Sequence, residues 1–400
     1  MTPAERRVRD VPWEALDDLR ELVVAEVERV LAGARAENVL DRFLRKHRDF
    51  SDIQRRVVAE AIFGVGLWRR RLRLFPASPL GDGMRCLHAL VQDLGGRATP
   101  PLPPPADWRD RFSVPDWLAD LLVREVGDDA PALAAAFNLP GPVCLRVNRR
   151  RTSRHELAAA LLAHGVDSTP ARYAADGLVL TTPRPNILHL VGELPGHFEV
   201  QDEGSQLLGA LVGVGEGDQV LDLCAGAGGK SLQLAALVGP SGRVHATDID
   251  LARLERLRHR ASKAGVSISI HGAKPPQKLR VPFVLVDAPC SELGALRRGP
   301  DLRWLIDPAT FATLPALQAQ LLRTGLDYLA PGGRLVYATC TLRAEENQAV
   351  VDAVLADVPA ATRVRPELPA ELLDARGDLR LYPHRHGTDG FYAAVLQRAA

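Results

Sequence analysis

The sequence predicts an α/β protein with a doubly wound, mostly parallel sheet, preceded by a small α/β module and an N-terminal all-helical domain. Three observations predict this arrangement. Residues 1–98 carry apolar residues at three- and four-residue spacing, residues 111–195 alternate strand and helix patterns, and residues 196–400 repeat apolar strands separated by helical stretches. The Pro-rich stretch at 99–110 cannot continue a helix and therefore predicts a stiff linker.

Each element follows from its local pattern. In the first part, "EALDDLRELVVAEVERVLAG" and "DIQRRVVAEAIFGVGLWRRRL" predict amphipathic helices. In the module, "VPDWLADLLVREVG" and "SRHELAAALLAHG" predict helices, and "VCLRVN" and "GLVLTT" predict strands. The last part contains five strand patterns, which are "QVLDLC", "RVHATDID", "ISIHG", "FVLVDAPC" and "RLVYATCT".

Composition narrows the class of protein. The 400 residues are 46% hydrophobic and 25% charged, with a net charge of +1, which is typical of a globular protein of two or three domains. No apolar run reaches the roughly 18 residues of a membrane span, and the first residues lack the apolar core of a secretion signal. The 5 cysteines show no CxxC spacing and are odd in number. We therefore expect a cytoplasmic, monomeric protein with free thiols, and neither a metal nor a membrane as partner.

The glycine-rich stretch "VLDLCAGAGGKSL" predicts a cofactor turn. A phosphate-binding Walker A loop would need glycine where Cys224 stands, and a dinucleotide fingerprint would need glycine at Ser231. The sequence does match another pattern, which is a strand ending in Asp222, a tight turn, and a second strand ending in Asp248 and Asp250. An acid at the end of the second strand can accept hydrogen bonds from a ribose. This pattern favours a nucleoside cofactor without pyrophosphate, such as S-adenosylmethionine (AdoMet). A purely structural strand-to-helix turn is the alternative.

Two cysteines follow two predicted strand ends. Cys290 comes after the strand that ends near Asp287, and Cys340 comes after the strand that ends near Ala338. Ligands of open α/β sheets bind outside the carboxyl ends of the strands, and neighbouring strands lie about 5 Å apart. The two thiols are thus expected to share a pocket, unless both are merely buried small residues.

This pair of thiols suits methylation at C5 of cytosine. C5 is a poor nucleophile until a thiolate adds to C6, which makes covalent catalysis by one cysteine useful. A second acid/base group can then assist elimination. A carboxyl group such as Asp287, hydrogen-bonded to N3 and the exocyclic amine, would stabilise the charge that develops on the ring.

The motifs resemble those of RNA cytosine-5 methyltransferases of the Sun/RsmB type, which methylate bacterial small-subunit ribosomal RNA. The similarity lies in "LDLCAGAGGKS", "DID", "VDAPCSELG" with "RRGPDLRW", and "YATCTL" with "EEN" after it. It implies a Rossmann-like class I methyltransferase with a mostly parallel seven-stranded sheet, and a NusB-like RNA-binding domain at residues 1–98. It also implies that Cys340 is the nucleophile, that Cys290 helps release the product, and that Asp287 lies beside cofactor and base. The implied AdoMet-binding residues are Cys224, Ala225, Gly226, Ala227, Gly228, Gly229, Lys230, Asp248 and Asp287.

Two departures from the family pattern concern the pocket. The family expects an acid after the third strand to hold the adenine amine, yet no Asp or Glu occurs between Ile268 and Phe283. Backbone groups or His271 are the possible substitutes. In addition, Glu292 stands where a small residue is usual, which adds a carboxylate near the pocket mouth.

Basic clusters predict contacts to RNA phosphates, with solvated surface as the alternative. The candidate residues are Arg146, Arg149, Arg150, Arg297, Arg298 and Arg303. The predicted function is AdoMet-dependent methylation of cytosine C5 in RNA, with ribosomal RNA as the expected partner. Two alternatives stay open, which are a tRNA cytosine-5 methyltransferase and a non-catalytic RNA-binding factor of ribosome assembly.

Overall fold

A computed structural model describes residues 1–183 and 185–400, which form two compact units. The helical unit consists of Met1–Pro140 and Leu296–Ala309, and the sheet unit consists of Gly141–Ala295 and Thr310–Ala400. The sequence predicted domain boundaries near residues 98, 110 and 195. The compact units divide after Pro140, and the helical unit also includes the 14 residues Leu296–Ala309.

The helical unit is built from capped amphipathic helices around one apolar core. Ser51 illustrates the capping, because its hydroxyl accepts from Gln54 N and its backbone N–H donates to the Gln54 side chain. Val23, Ile62 and Trp68 are at most 1% exposed and lie in the core. The helices are α1 Pro3–Arg9, α2 Arg20–Leu31, α3 Ala36–Lys46, α4 Asp52–Leu72, α5 Asp82–Ala89, α6 Trp108–Arg111, α7 Asp116–Val126 and α8 Ala130–Phe137.

The segment Leu296–Ala309 is a structural part of the helical unit. The Asp301 carboxylate accepts a hydrogen bond of 2.8 Å from Ala36 N at the start of α3. Arg303 is 1% exposed and donates to the carbonyl of Phe137 and the side chain of Asn138, at the end of α8. Because Arg303 is buried at a helix end, the prediction that it contacts RNA is wrong.

The first part of the sheet unit is a four-stranded antiparallel sheet in the order β2-β3-β1-β4. In chain order its elements are β1 Cys144–Val147, α9 Arg154–Ala163, β2 Ser168–Pro170, β3 Gly177–Leu180, α10 Ile187–Glu193 and β4 Phe198–Val200. Leu145, Leu157 and Leu178 are buried between the sheet and its helices. The two predicted strands and the second predicted helix of the small module are therefore found here, whereas its first predicted helix, α7, belongs to the helical unit.

The second part is the predicted doubly wound sheet. Its strands are β5 Gln219–Asp222, β6 Arg243–Ala246, β7 Ser269–Ile270, β8 Val281–Asp287, β9 Leu329–Thr339, β10 Ala361–Val364, β11 Leu379–Leu381 and β12 Phe391–Arg398. Its helices are α11 Glu203–Leu211, α12 Gly229–Val238, α13 Leu251–Ala264, α14 Leu314–Tyr328, α15 Gln348–Asp357 and α16 Pro383–His386.

The strand order brings the carboxyl ends of five parallel strands to one edge of the sheet. Seven strands follow the path β10-β12-β9-β8-β5-β6-β7, and in the described chain an eighth, β11, pairs with β12. The five strands from β9 to β7 are parallel, as predicted, and β12 runs antiparallel to β9. Asp287 of β8 lies in register with Ala338 of β9. The residues that follow these two strands therefore emerge side by side.

Both faces of this sheet are buried, as a doubly wound sheet requires. On β8, Val284 and Val286 pack on one side, whereas Leu285 packs on the other with Leu234 of α12. These side chains are fully buried. No helix within the described residues has the length and apolar character to span a bilayer.

Candidate active site

The glycine-rich turn joins β5 to α12 and is tied to the acid of the second strand. Gly226 and Gly228 have φ of +54° and +93°, which favour glycine. A Cβ on Gly228 would lie 2.2 Å from a methyl carbon of Leu257. Gly226 N donates to the Asp248 carboxylate at 2.8 Å. The turn is thus fixed from two sides while its backbone faces an open cavity.

Two arginines hold the carbonyl groups of this turn. Arg146 of β1 donates to the Gly229 carbonyl at 2.6 Å, and Arg260 of α13 donates to the Ala227 carbonyl at 2.6 Å. Arg146 is 4% exposed, and its burial lowers the pKa of its guanidinium to about 10. The prediction that Arg146 contacts RNA is therefore wrong, because this side chain lies inside the protein and supports the turn.

A cavity of about 1080 Å³ opens at the carboxyl ends of the parallel strands. Ligand pockets commonly measure roughly 300–1,000 Å³. The predicted AdoMet-binding residues all line this cavity except Gly228, which packs behind the turn. Cys290, Cys340 and Glu292 line it as well. The cofactor turn and both thiols therefore face one space.

Asp222 is a cavity residue that the sequence reasoning did not assign to cofactor binding. Its Oδ2 accepts a hydrogen bond of 2.6 Å from the Ser231 hydroxyl, and its buried Oδ1 lacks a well-aligned donor among the described residues. Burial raises the pKa of the Asp222 carboxyl to about 7. The buried carboxyl thus supports the turn from within, through Ser231 in the first turn of α12. Its position at the strand end before the turn was the available signal.

Lys230 and Asp287 form an ion pair on the cavity wall. Lys230 Nζ lies 2.7 Å from Asp287 Oδ2, and the two side chains are 11% and 31% exposed. Burial opposes the charged form of the lysine, but the Asp287 carboxylate outweighs burial and raises the pKa of the Lys230 ammonium. The pair places a proton donor and an acceptor together beside the thiols.

The two cysteines lie in contact. Cys290 Sγ is 3.4 Å from Cys340 Sγ, so the predicted juxtaposition of the two thiols is found. Two backbone hydrogen bonds of 2.9 Å join the segments that carry them, from Ala288 N to the Ala338 carbonyl and from Gly294 N to the Cys340 carbonyl. The hydrogen bond with Cys290, burial and nearby carboxylates together raise the pKa of the Cys340 thiol well above its ordinary value.

After β7, His271 does not take the adenine-binding position that the sequence suggested for it. His271 Nε2 lies 2.9 Å from His245 Nδ1, and the stacked ring centroids are 5.1 Å apart. His271 does not line the cavity, so it is no substitute for the missing adenine-binding acid. The wall at this point is formed by Ala273, Lys274, Pro275, Gln277 and Arg280.

The remaining arginines of the RNA prediction differ in exposure. Arg149, Arg150 and Arg298 are exposed, and Arg149 pairs with Asp176 at 2.5 Å. Arg297 is only 7% exposed. The exposed arginines stay candidates for phosphate contacts, whereas little of Arg297 reaches solvent.

The strand order, the glycine turn tied to an acid on the second strand, and the cavity at the strand ends define a Rossmann-like class I methyltransferase. Residues 210–397 match the family model described as "16S rRNA methyltransferase RsmB/F", and residues 114–186 match the "Methyltr_RsmF/B-like, ferredoxin-like domain". The chain belongs to the RsmB/F methyltransferase family.

Individual relatives agree with this assignment. A "Probable ribosomal RNA small subunit methyltransferase B" from Synechocystis sp. is 36% identical over 307 residues, which cover 72% of this chain and 68% of the relative. A "Methyltransferase Homolog Protein from Pyrococcus Horikoshii" has a TM-score of 0.63 at 27% identity. The superposition covers 73% of this chain and 98% of the chain of that protein. The protein PH0851 has a TM-score of 0.77 at 22% identity, over 100% of this chain and 99% of its own, which shows similarity of fold.

Proposed function

We propose that this protein uses AdoMet to methylate C5 of cytosine in small-subunit ribosomal RNA. The observation that carries the proposal is the pair of thiols, Cys290 and Cys340, with 3.4 Å between their sulfur atoms, on the same cavity as the cofactor turn. The names of the curated relatives support ribosomal RNA as the substrate rather than tRNA.

AdoMet fits the groups around the turn. Asp248 can meet a ribose hydroxyl, because each of its oxygens keeps a lone pair besides those used by Gly226 N and Asp250 N. A Cβ on Gly226 would meet only Arg253, at 4.0 Å, so space is open above the turn. When bound, AdoMet supplies an electrophilic methyl group to the pocket that holds the thiols.

Cys340 is assigned the role of nucleophile. Its thiol passes its proton to the Asp287–Lys230 pair on the same cavity wall, and its sulfur bonds to C6 of the cytosine, which moves electron density toward C5 and N3. Negative charge at N3 is neutralised by a proton that the Asp287–Lys230 pair can deliver, since Lys230 Nζ already donates to the Asp287 carboxylate at 2.7 Å. Because the pKa of the Cys340 thiol is raised, this thiol is protonated in the free protein. It must therefore lose its proton after the target cytosine has bound.

Cys290 is assigned to product release. After C5 is methylated, its proton must leave, the C6–S bond must break, and the 5,6 double bond must return. The electrons of the C6–S bond return to Cys340, which leaves as a thiolate. The C5 proton passes to a general base next to that thiol, and this is the role assigned to Cys290. Cys290 is adjacent to Cys340 and lines the same cavity.

The test is product analysis combined with trapping. Incubation with labelled AdoMet and ribosomal RNA, followed by digestion to nucleosides, should place the label on 5-methylcytidine. Label on adenosine or on ribose would contradict the assignment, and preferential labelling of tRNA would redirect the substrate. If calorimetry detects no AdoMet binding, the non-catalytic alternative is favoured.

The cysteine roles need separate variants. Cys340→Ala should abolish both turnover and covalent trapping on RNA containing 5-fluorocytidine. Cys290→Ala should accumulate a slowly migrating protein–RNA adduct on ordinary RNA. Cys144→Ala is the matched control, because Cys144 is a buried thiol of β1 that does not line the cavity. An adduct in the Cys340 variant would reverse the two roles.

A further inference from the structure

The dipeptide Glu346–Asn347, part of the "EEN" that follows "YATCTL", has no role in the chemistry above. Both residues are completely buried, which is unusual for these polar side chains. We propose that they are positioning residues with divided tasks. Glu346 holds the segment that carries Cys290, and Asn347 holds the segment that carries Cys340. The proposal rests on the function proposed above.

Glu346 binds Ser291, the residue after Cys290, and reaches Pro289, the residue before it, through Gln318. One carboxylate oxygen accepts from Ser291 N and from the Gln318 side chain, each at 2.9 Å, and the other accepts from the Ser291 hydroxyl at 2.6 Å. The same Gln318 nitrogen donates to the Pro289 carbonyl at 2.9 Å. Arg343 lies 3.0 Å from the carboxylate and balances its charge. The buried carboxylate thus fixes the backbone after Cys290 directly and the backbone before Cys290 through Gln318.

Asn347 binds both residues that flank Cys340. Its side-chain oxygen accepts from the Thr339 hydroxyl at 2.5 Å, and its side-chain nitrogen donates to the Thr341 carbonyl at 3.1 Å. The Tyr337 hydroxyl donates to the Glu346 carbonyl at 2.6 Å, which anchors the dipeptide to β9. Asn347 thus plays the same part for Cys340 that Glu346 plays for Cys290.

The two halves are linked but not equivalent. The hydroxyl groups of Ser291 and Thr341 lie 2.7 Å apart and connect the segments. Cys340 directly follows β9, which is paired on both sides by β8 and β12. Cys290 instead lies in a loop three residues beyond the end of β8. The position of Cys290 therefore depends more on Glu346 than the position of Cys340 does.

The division of tasks predicts opposite kinetic defects. In Glu346→Gln an NH₂ group replaces one of two carboxylate oxygens, so it faces donors where an acceptor is required. This loosens the Cys290 segment, and the expected result is normal adduct formation with release slowed at least tenfold. Asn347→Ala removes the bonds on both sides of Cys340, and the expected result is adduct formation slowed at least tenfold.

The experiment measures the two steps separately with the full-length protein. Single-turnover trapping on RNA containing 5-fluorocytidine gives the rate of adduct formation, and decay of the adduct on ordinary RNA gives the rate of release. The matched control is Glu203→Gln, because Glu203 is also a buried carboxylate, which accepts from the backbone N–H groups of Tyr173 and Ala174. The control should leave the ratio of the two rates unchanged.

A purely structural role would lower both rates in proportion and would overturn the proposal. Should Glu346→Gln fail to fold, as judged by near-UV circular dichroism, Ser291→Ala removes only the hydroxyl contacts and should show the same defect in release, at smaller size. If the wild-type protein forms no adduct at all, the function proposed above has failed. If the wild type forms the adduct but the variants show no split, only the assignment of the dipeptide has failed.

Discussion

Replacing Asp222 with asparagine should stabilise the sheet unit increasingly as the pH rises from about 4 to about 7. The carboxyl is 1% exposed, no cationic side chain among the described residues bonds it, and burial raises its pKa from 3.8 to about 7. Asparagine mimics the protonated carboxyl but cannot ionise. Between pH 3.8 and about 7 the wild-type carboxyl ionises in the unfolded chain but stays protonated in the folded protein, which favours unfolding, and the variant removes this cost.

The size and pH range of the effect follow from these two pKa values. Each pKa unit corresponds to about 1.4 kcal/mol, so the full difference is about 4 kcal/mol. Because the folded pKa is the higher one, the wild-type contribution is intact below pH 3.8 and declines as the pH rises to about 7. We expect the variant to be more stable by about 2 kcal/mol at pH 5 and by about 4 kcal/mol at pH 8.

The chain carries its own probes for this measurement. All 5 tryptophans lie in the helical unit, and all 5 tyrosines lie in the sheet unit. Denaturant unfolding followed by tyrosine absorbance should show the shift in Asp222→Asn, whereas tryptophan fluorescence should not. Asp49→Asn, at an exposed carboxylate of the helical unit, is the control for loss of a charge.

A stability difference between Asp222→Asn and wild type that stays constant from pH 5 to pH 8 would refute the reasoning.

Two further predictions concern the turn and the thiols. Arg146→Met should lower AdoMet affinity by about tenfold, as measured by calorimetry, because a buried hydrogen bond from a charged donor contributes about 1.5–3 kcal/mol and the Gly229 carbonyl would lose its donor. Unchanged affinity would mean that Arg260 alone fixes the turn. Hydrogen peroxide should oxidise Cys290 and Cys340 to a disulfide, releasing two waters, because sulfurs 3.4 Å apart need approach by only about 1.3 Å to bond. Mass spectrometry should find that pair linked and activity restored by reductant, whereas an unlinked, fully active protein would show that the thiols cannot rotate into bonding geometry.

Sequence reasoning succeeded where a local pattern combines with a general rule of topology. Asp287 and Ala338 each end an apolar strand, and the rule that parallel strands present their carboxyl ends at one edge then brings Cys290 and Cys340 together. The five parallel strands, the module's strands and its helices were predictable in the same way. None of this required knowledge of distant contacts.

The errors have a common physical origin. Arg303 forms hydrogen bonds with residues about 165 positions earlier, and Arg146 bonds Gly229, 83 positions later. A basic cluster in the sequence does not reveal which of its members turns inward, because the partner is a backbone carbonyl that any residue type could provide. Arg149 and Arg150, which follow Arg146 closely, are exposed as expected.

Two buried charged side chains, Arg146 and Glu346, fix the conformation of loops that border the open cavity. At the end of a parallel strand, backbone N–H and C=O groups leave the ladder of the sheet and need new partners, yet the loops there must leave space for ligands. Arg146 donates to the Gly229 carbonyl at the cofactor turn, and Glu346 accepts from Ser291 N beside Cys290. Each of these charged groups also binds a neighbouring side chain, Gln201 for Arg146 and Gln318 for Glu346. Each leaves the cavity side of its loop free. Under the function proposed above, loops fixed in this way would keep the two sulfurs in position to act in sequence on neighbouring atoms of one cytosine.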